Sequence, residues 1–204
     1  MNRSYDELGN GLNSRNIDFE LFQTREDLIQ RLLKLTEPFE TIGIGNSQTL
    51  KAMDVSKSLS KQGKVVYDKT YASDKNEVRR LKKQALTADC YITSTNALSM
   101  NGELVNVDHS GNRVAAMTYG PDKVIVIATT NKLVENEGAA IKRALQTATP
   151  KNARRAGIES PCSIGEPCAK CDQSVRVCNY LSIIRGQHEK GRMVVLLLEE
   201  ELGF

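Results

Sequence analysis

Tryptophan is absent from this chain, and its aromatic rings come down to four phenylalanines and six tyrosines. Platforms on which bases could stack are therefore scarce. An excess of either charge is missing too. The 28 Lys and Arg against 25 Asp and Glu leave +3 over 204 residues, too balanced for the footprint of a nucleic-acid binder. Long apolar runs do not occur: the longest, Val124–Ala128 and Met193–Leu198, fall far short of the ~20 residues that cross a bilayer. Nothing at the N-terminus resembles a secretory signal, so the expected location is cytoplasmic, a reducing compartment where disulfides are not expected. No repeat or low-complexity tract is present, and the length suits one domain whose core needs no disulfide staples.

What is present is concentrated near the C-terminus. Cys162, Cys168, Cys171 and Cys178 form a C-x5-C-x2-C-x6-C array, and Cys90 is the one cysteine outside it. Cys168 and Cys171 are spaced so that one turn offers two sulfurs to the same centre. Pro161, Gly165 and Pro167 oppose a regular helix and suit a wrapping loop. Zinc sites usually combine two separate C-x2-4-C knuckles, whereas this array has one close pair. A single C-x2-C with two more distant cysteines fits an iron–sulfur loop better. Lys142, Arg143, Lys151, Arg154, Arg155 and Arg176 lie close in sequence and would compensate thiolate charge. A [4Fe–4S] cluster is the expected cofactor, with zinc as the alternative, since both accept four thiolates. Cys90 falls in an expected strand, where a cysteine behaves as a small hydrophobe.

Residues 1–16 are polar and carry Gly9 and Gly11, and they read as a flexible N-terminal arm. Residues 17–204 read as a single domain with a metal-binding loop over 158–180. Ile17–Phe22 alternates like a half-buried strand, and Thr24 with Asp27 opens a helix carrying Leu28 and Leu32. Thr41–Ile44 and Val65–Tyr67 are short strands, and Asp74 with Glu77 forms a capping box for the next helix. Strands follow at Asp89–Thr93, Leu104–Val107, Val124–Ala128 and Met193–Leu198. A helix spans Glu135–Gln146 and is expected to stop at Pro150. The alternation predicts a three-layer α/β fold: a mostly parallel sheet, helices on both faces, and a C-terminal cysteine loop. Ligands in such sheets sit at the carboxyl ends of strands.

Gly43, Gly45 and Ser47 follow a strand and open a helix, an arrangement in which backbone N–H groups can approach an anion. The third glycine of a dinucleotide fingerprint is replaced by Gln48, which argues against NAD. Asn96, Glu103, His109, Asn112 and Arg113 crowd two further strand ends. Arg113 is read as the fork for a small carboxylate or phosphate. Glu103, Asn96 and His109 are the candidate catalytic groups, although a His in such a turn is more often solvated, and Asn101-Gly102 is itself a hairpin-turn signal.

Thr95-Asn96-Ala97, Asn101-Gly102-Glu103-Leu104-Val105-Asn106-Val107-Asp108, Gly111-Asn112-Arg113, Gly120-Pro121-Asp122-Lys123 and Asn131-Lys132-Leu133-Val134 resemble the lactate-utilisation (LUD) domain family. The cysteine array with Arg176 and Leu202-Gly203-Phe204 resembles its cysteine-bearing branch. The resemblance covers roughly residues 17–204. It implies a fold similar to the CoA-transferase and sugar-phosphate-isomerase superfamily, and a setting of iron–sulfur oxidation of lactate among oxidoreductase partner proteins. Three functions are consistent with it. The first is a redox protein with an iron–sulfur cluster beside a small-carboxylate pocket. The second is a CoA-transferase-like or isomerase-like enzyme with a structural metal loop and Glu103 as nucleophile or base. The third is a non-catalytic subunit or sensor of an oxidoreductase complex. With so short an N-terminal region, one sheet face is expected to be open or closed by the second subunit of a homodimer.

Overall fold

The two apolar runs lie side by side at the centre of a sheet. In the computed structural model, which describes residues 4–168 and 171–204, β7 (Lys123–Thr129) pairs in parallel with β10 (Met193–Leu198). With β1 (Ile17–Phe22), β2 (Thr41–Ile44), β3 (Val65–Tyr67) and β4 (Cys90–Thr93) they form a six-stranded sheet of order β1-β10-β7-β4-β2-β3. Every pair in it is parallel. A parallel sheet is covered on both faces, which is why its central strands are continuous apolar runs rather than alternating ones.

Successive residues of those strands feed two different cores. Val124, Val126, Ala128, Met193, Val195 and Leu197 point into one. Ile125, Ile127, Val194, Leu196 and Leu198 point into the other, where α2 (Arg25–Thr36), α3 (Gln48–Ala52) and α4 (Val55–Lys61) add Leu28, Leu32, Leu50, Val55 and Leu59. Cys90 belongs to this second core, and burial pushes its thiol up to about 12.

The first core is closed by α5 (Lys75–Leu86), α6 (Asn112–Thr118) and a helix the sequence reading did not expect. Residues 5–13 of the supposed flexible arm form α1 (Tyr5–Asn13). The Ser4 side chain caps it by accepting from the Glu7 N–H, and Leu8 and Leu12 are fully buried. A Cβ at Gly9 would lie 2.9 Å from the Phe19 ring, so the glycine lets α1 settle onto β1. The face expected to be open or shared with a second subunit is therefore covered by the chain's own α1.

A second, smaller sheet has the order β8-β5-β6-β9, built from β8 (Leu133–Val134), β5 (Ala97–Ser99), β6 (Leu104–Asp108) and β9 (Tyr180–Ile184). The Asn101-Gly102 turn joins β5 to β6 as an antiparallel pair, with Gly102 at φ 98°. Ala97 and Val105 pack on Ala140 of α7 (Glu137–Arg143) and on Ala144. The chain does not stop at Pro150. A π-helical turn, Ala144–Ala148, runs into α8 (Thr149–Arg155). The Thr149 N–H and hydroxyl both reach the Ala144 carbonyl, and Pro150 then falls in the first turn of α8, where its missing N–H costs nothing. The cysteine loop spans the gap from α8 to β9, and β9 pairs with β6 so that Tyr180 faces Asp108. Ala169 and Lys170, inside the expected 158–180 loop, lie outside the described residues, as do residues 1–3 of the expected arm.

Candidate functional site

A cavity of about 200 Å³ opens at the carboxyl ends of the parallel strands. Asn46 and Ser47 reach it from the end of β2, Ser94, Thr95 and Asn96 from the end of β4, and Lys132 from the segment after β7. Val107 and Asp108 enter from the end of β6 in the second sheet. This is the edge at which sheets of this kind hold ligands.

Its charge is one-sided. Lys69, Lys82, Arg113, Lys132 and Arg155 line it, against the single carboxylate side chain of Asp108. Lys132 is only 2% exposed, and its Nζ lies 2.7 Å from Thr49 Oγ1 and 2.5 Å from Ser94 Oγ. Among the described residues no carboxylate pairs with it. Burial first, then the charges of Arg143 and Arg113, pull its amine down to about 7. Lys69 is pulled down to about 8, chiefly by burial and then by the neighbouring Lys82 charge; Asp108 acts in the opposite direction. Lys82 donates to Ser110 Oγ at 2.9 Å, and Arg155 to Asn152 Oδ1 at the same distance.

Arg113 does not act as a free fork. Its Nε donates to Asp108 Oδ1 at 3.0 Å, one terminal nitrogen to the Ser94 carbonyl (3.0 Å) and Asn106 Oδ1 (2.6 Å), and the other to Asn96 Oδ1 and the Val107 carbonyl (both 2.8 Å). All five guanidinium donors are thus used inside the protein. The Asp108 carboxylate also accepts the backbone N–H groups of Arg113 and Val114. Arg113 ties the ends of β4 and β6 together, and the anion-fork role read from the sequence is corrected to that of a buried strut.

The remaining sequence-predicted residues divide into two groups. Asn96, His109, Asn112 and Ser47 line the cavity. The Asn96 side-chain carbonyl is occupied by the Val107 N–H and Arg113, Asn112 accepts from Ser110, and Ser47 caps α3 at the Leu50 N–H. Gly43 and Gly45 serve packing rather than anion binding. A Cβ on Gly43 would sit 2.7 Å from the Ala85 carbonyl oxygen and one on Gly45 2.4 Å from Thr93 Oγ1, while the Gly45 N–H is already given to the Ile92 carbonyl at 2.8 Å. Glu103 is away from the cavity. It precedes β6, at the opposite end from Asp108, where it pairs with Arg15 at 2.7 Å and with the Ser99 hydroxyl. A catalytic role for Glu103 on a ligand in this cavity is therefore corrected. The sequence reading missed Lys69, Lys82, Lys132 and Arg155 as a set. One signal was available for Lys132: a cation that directly precedes the apolar pair Leu133-Val134, shortly after the buried run of β7.

The cysteine loop forms part of the cavity wall. Ile158 and Val177 line it, and Cys178 is the next residue in the chain. Arg154 holds the loop by donating twice to the Ser163 carbonyl, at 3.0 and 2.7 Å. On the opposite face of α8 a more open hollow of about 550 Å³ is lined by Cys162, Cys168, Lys151 and Arg154. No cysteine is in a disulfide. Among the described residues no three His, Cys, Asp or Glu side chains converge at ligating geometry. The Cys171 thiol is raised by burial and then by Cys178, Cys162 and Cys168. Four cysteines on one loop are the soft donors that a thiophilic metal centre accepts.

The LUD domain family model matches residues 5–198. This chain belongs to the LUD domain family. The match takes in α1, so the N-terminal helix is part of the LUD domain and not an appendage. Among solved structures, a DUF162 family protein from Deinococcus radiodurans is 12% identical and aligns over 96% of both chains with a TM-score of 0.56. Weaker likenesses are to eIF2B delta from Chaetomium thermophilum, 16% identical with a TM-score of 0.36 over 59% of this chain and 54% of that one, and to ribose 5-phosphate isomerase A from Methanocaldococcus jannaschii, 16% identical with a TM-score of 0.35 over 70% and 68%. No curated protein matches this LUD domain. Among its described residues no helix is long and apolar enough to cross a membrane.

Proposed function

We propose that this LUD-domain protein binds a small organic anion, a carboxylate or phosphate, in the basic cavity and serves a redox role in organic-acid metabolism. In this reading Cys162, Cys168, Cys171 and Cys178 hold a [4Fe–4S] cluster in the loop whose Ile158 and Val177 line the cavity. The observation that carries the reading is the charge imbalance: five cationic side chains and one carboxylate side chain surround about 200 Å³. That space is ample for a small acid. Lys132, buried with no carboxylate partner among the described residues, is costly to hold charged unless a ligand supplies the missing negative charge.

The chain's own residues supply binding and position. Lys69, Lys82 and Arg155 approach from separate elements and would share the anionic group. Val177 seals the wall and sets Cys178 beside it. Lys151 and Arg154 lie near Cys162 and Cys168 and would offset thiolate charge. The cluster, when bound, supplies one-electron transfer; zinc on the same thiols would leave the loop structural. Cys168 is the exposed member of the four, and an oxidoreductase partner would meet the loop there.

Protein purified without oxygen should be brown and contain iron with acid-labile sulfide, and Cys171→Ser should lose iron. Zinc in stoichiometric amount without sulfide would overturn the cluster. Calorimetry with lactate, pyruvate and inorganic phosphate should give binding that weakens with salt, and no binding of any of the three would overturn the cavity reading.

A further inference from the structure

The anion-site reading uses Lys132 only as a charge, although its surroundings are those of a reactive amine. We infer that Lys132 is a nucleophile that forms an imine with the carbonyl carbon of a small anionic aldehyde or 2-oxo acid bound in the cavity, an inference that rests on the cavity being an anion site. Three features of the geometry support it. The side chain is 2% exposed yet lines the cavity. Its Nζ contacts two hydroxyls, Thr49 Oγ1 and Ser94 Oγ, and among the described residues it has no carboxylate partner. The other charged groups near it do not neutralise it. Arg113 from α6 and Arg143 from α7 repel it, and Asp108 at the end of β6 is already taken up by Arg113 and two backbone N–H groups. Desolvation next to other cations is the arrangement that leaves a lysine unprotonated near neutral pH, and the amine here is pulled down to about 7. Lys69, also in the cavity, is held higher, at about 8.

The step balances without any further reactant. The amine lone pair forms a C–N bond to the carbonyl carbon, and the carbonyl oxygen takes a proton to give a carbinolamine. The C–O bond then breaks, and that oxygen leaves as water carrying both amine hydrogens. Thr49 and Ser94, in hydrogen-bond contact with the nitrogen, are placed to relay those protons. Lys69, Lys82 and Arg155 hold the anionic group of the same molecule.

The test uses the unaltered chain. It is incubated separately with glyoxylate, pyruvate and pyridoxal 5′-phosphate, each with sodium cyanoborohydride, followed by intact-mass analysis and peptide mapping. The expected result is one adduct per chain on the peptide holding Lys132, with the mass of the carbonyl compound less one oxygen atom, suppressed by inorganic phosphate. Lys132→Arg and Lys132→Met should abolish it, and mapping on the unaltered chain keeps the result independent of how those variants fold. Adducts spread over exposed lysines, or none with any of the three compounds, would overturn the inference. Calorimetry on the same samples separates the two failures: binding without an adduct removes the amine role and leaves the anion site standing, whereas neither binding nor adduct removes both.

Discussion

Replacing Arg113 by Met keeps the aliphatic stem and deletes the guanidinium, which decides between a strut and a ligand fork. The loss can be estimated from the partners. Breaking a buried ion pair by removing one member costs about 3–5 kcal/mol, because the other charge stays behind. Asp108 keeps two backbone N–H donors after the change, which lowers the cost. The Ser94 and Val107 carbonyls and Asn106 Oδ1 each lose a donor, which raises it. The net expectation is a loss of about 3–5 kcal/mol, read as a lower urea midpoint at unchanged slope. Arg113→Lys retains charge but cannot reach five acceptors spread over two strand ends, and should lose about 2–3 kcal/mol. Adding Asp108→Asn to Arg113→Met should recover part of the loss, with a coupling above about 1 kcal/mol. A Met variant within about 1 kcal/mol of the parent that has lost phosphate binding would refute the strut and restore the fork.

Three further outcomes follow from the same geometry. The Lys132 amine sits at about 7 in the folded protein and near ~10.4 in the unfolded chain, so between those values the unfolded chain holds the extra proton and stability rises with pH; unfolding at pH 7 and pH 9 should differ by roughly 2–3 kcal/mol from this group, and Lys132→Met should flatten that slope. Stripping metal from protein purified without oxygen should open the segment from Gly157 to Asn179 to protease while the six-stranded sheet survives, because Ile164 is 62% exposed and little apolar packing holds the loop; an unchanged digest would count against ligation. Gly45→Ala drives a Cβ to 2.4 Å from Thr93 Oγ1 and 2.8 Å from Thr93 Cβ, and should cost about 1–3 kcal/mol or more by overpacking, whatever ligand is present.

The sheet was legible because its strands carry their signal locally. β7 and β10 are unbroken apolar runs, and Asp74 with Glu77 marks the start of α5 in the sequence itself. α1 was hidden by Gly9 and Gly11, which read as loop formers, although Ser4 and Glu7 already spell a capping box and Leu8 and Leu12 share a face. Gly9 is there because Phe19 lies under it, a fact no local pattern contains. The run past Pro150 was misread for a related reason: a π turn absorbs the proline, and the hydroxyl that helps close it belongs to Thr149. Within the site, the importance of Arg113 was legible and its role was not. Its acceptors come from Ser94, Asn96, Asn106, Val107 and Asp108, and only the folded backbone shows that they converge on all five donors.

The cavity is where local rules and global stability conflict. Lys132 and Lys69 both sit where their charged forms are disfavoured, and the one carboxylate side chain that lines the space is committed to Arg113. A fold free to optimise itself would place leucine or an acidic partner at position 132, so its occupation by a lysine with no carboxylate partner among the described residues is a stability sacrifice of the kind that marks functional sites. The same reasoning sets the sign of a linkage. An anion held by Lys69, Lys82 and Arg155 supplies the missing counter-charge, raises the affinity of the Lys69 amine for protons and binds the native state alone. Phosphate or pyruvate should therefore stabilise the protein by an amount that grows as the logarithm of ligand concentration, about 2.7 kcal/mol at a hundredfold excess over Kd. Binding near pH 8 should draw protons from the buffer, so that calorimetric heats change with the buffer's ionisation enthalpy. Removing Lys69 should diminish that uptake. Binding with no proton uptake at pH 8 would mean that the anion does not reach Lys69, and the site would then have to be sought elsewhere on the strand ends.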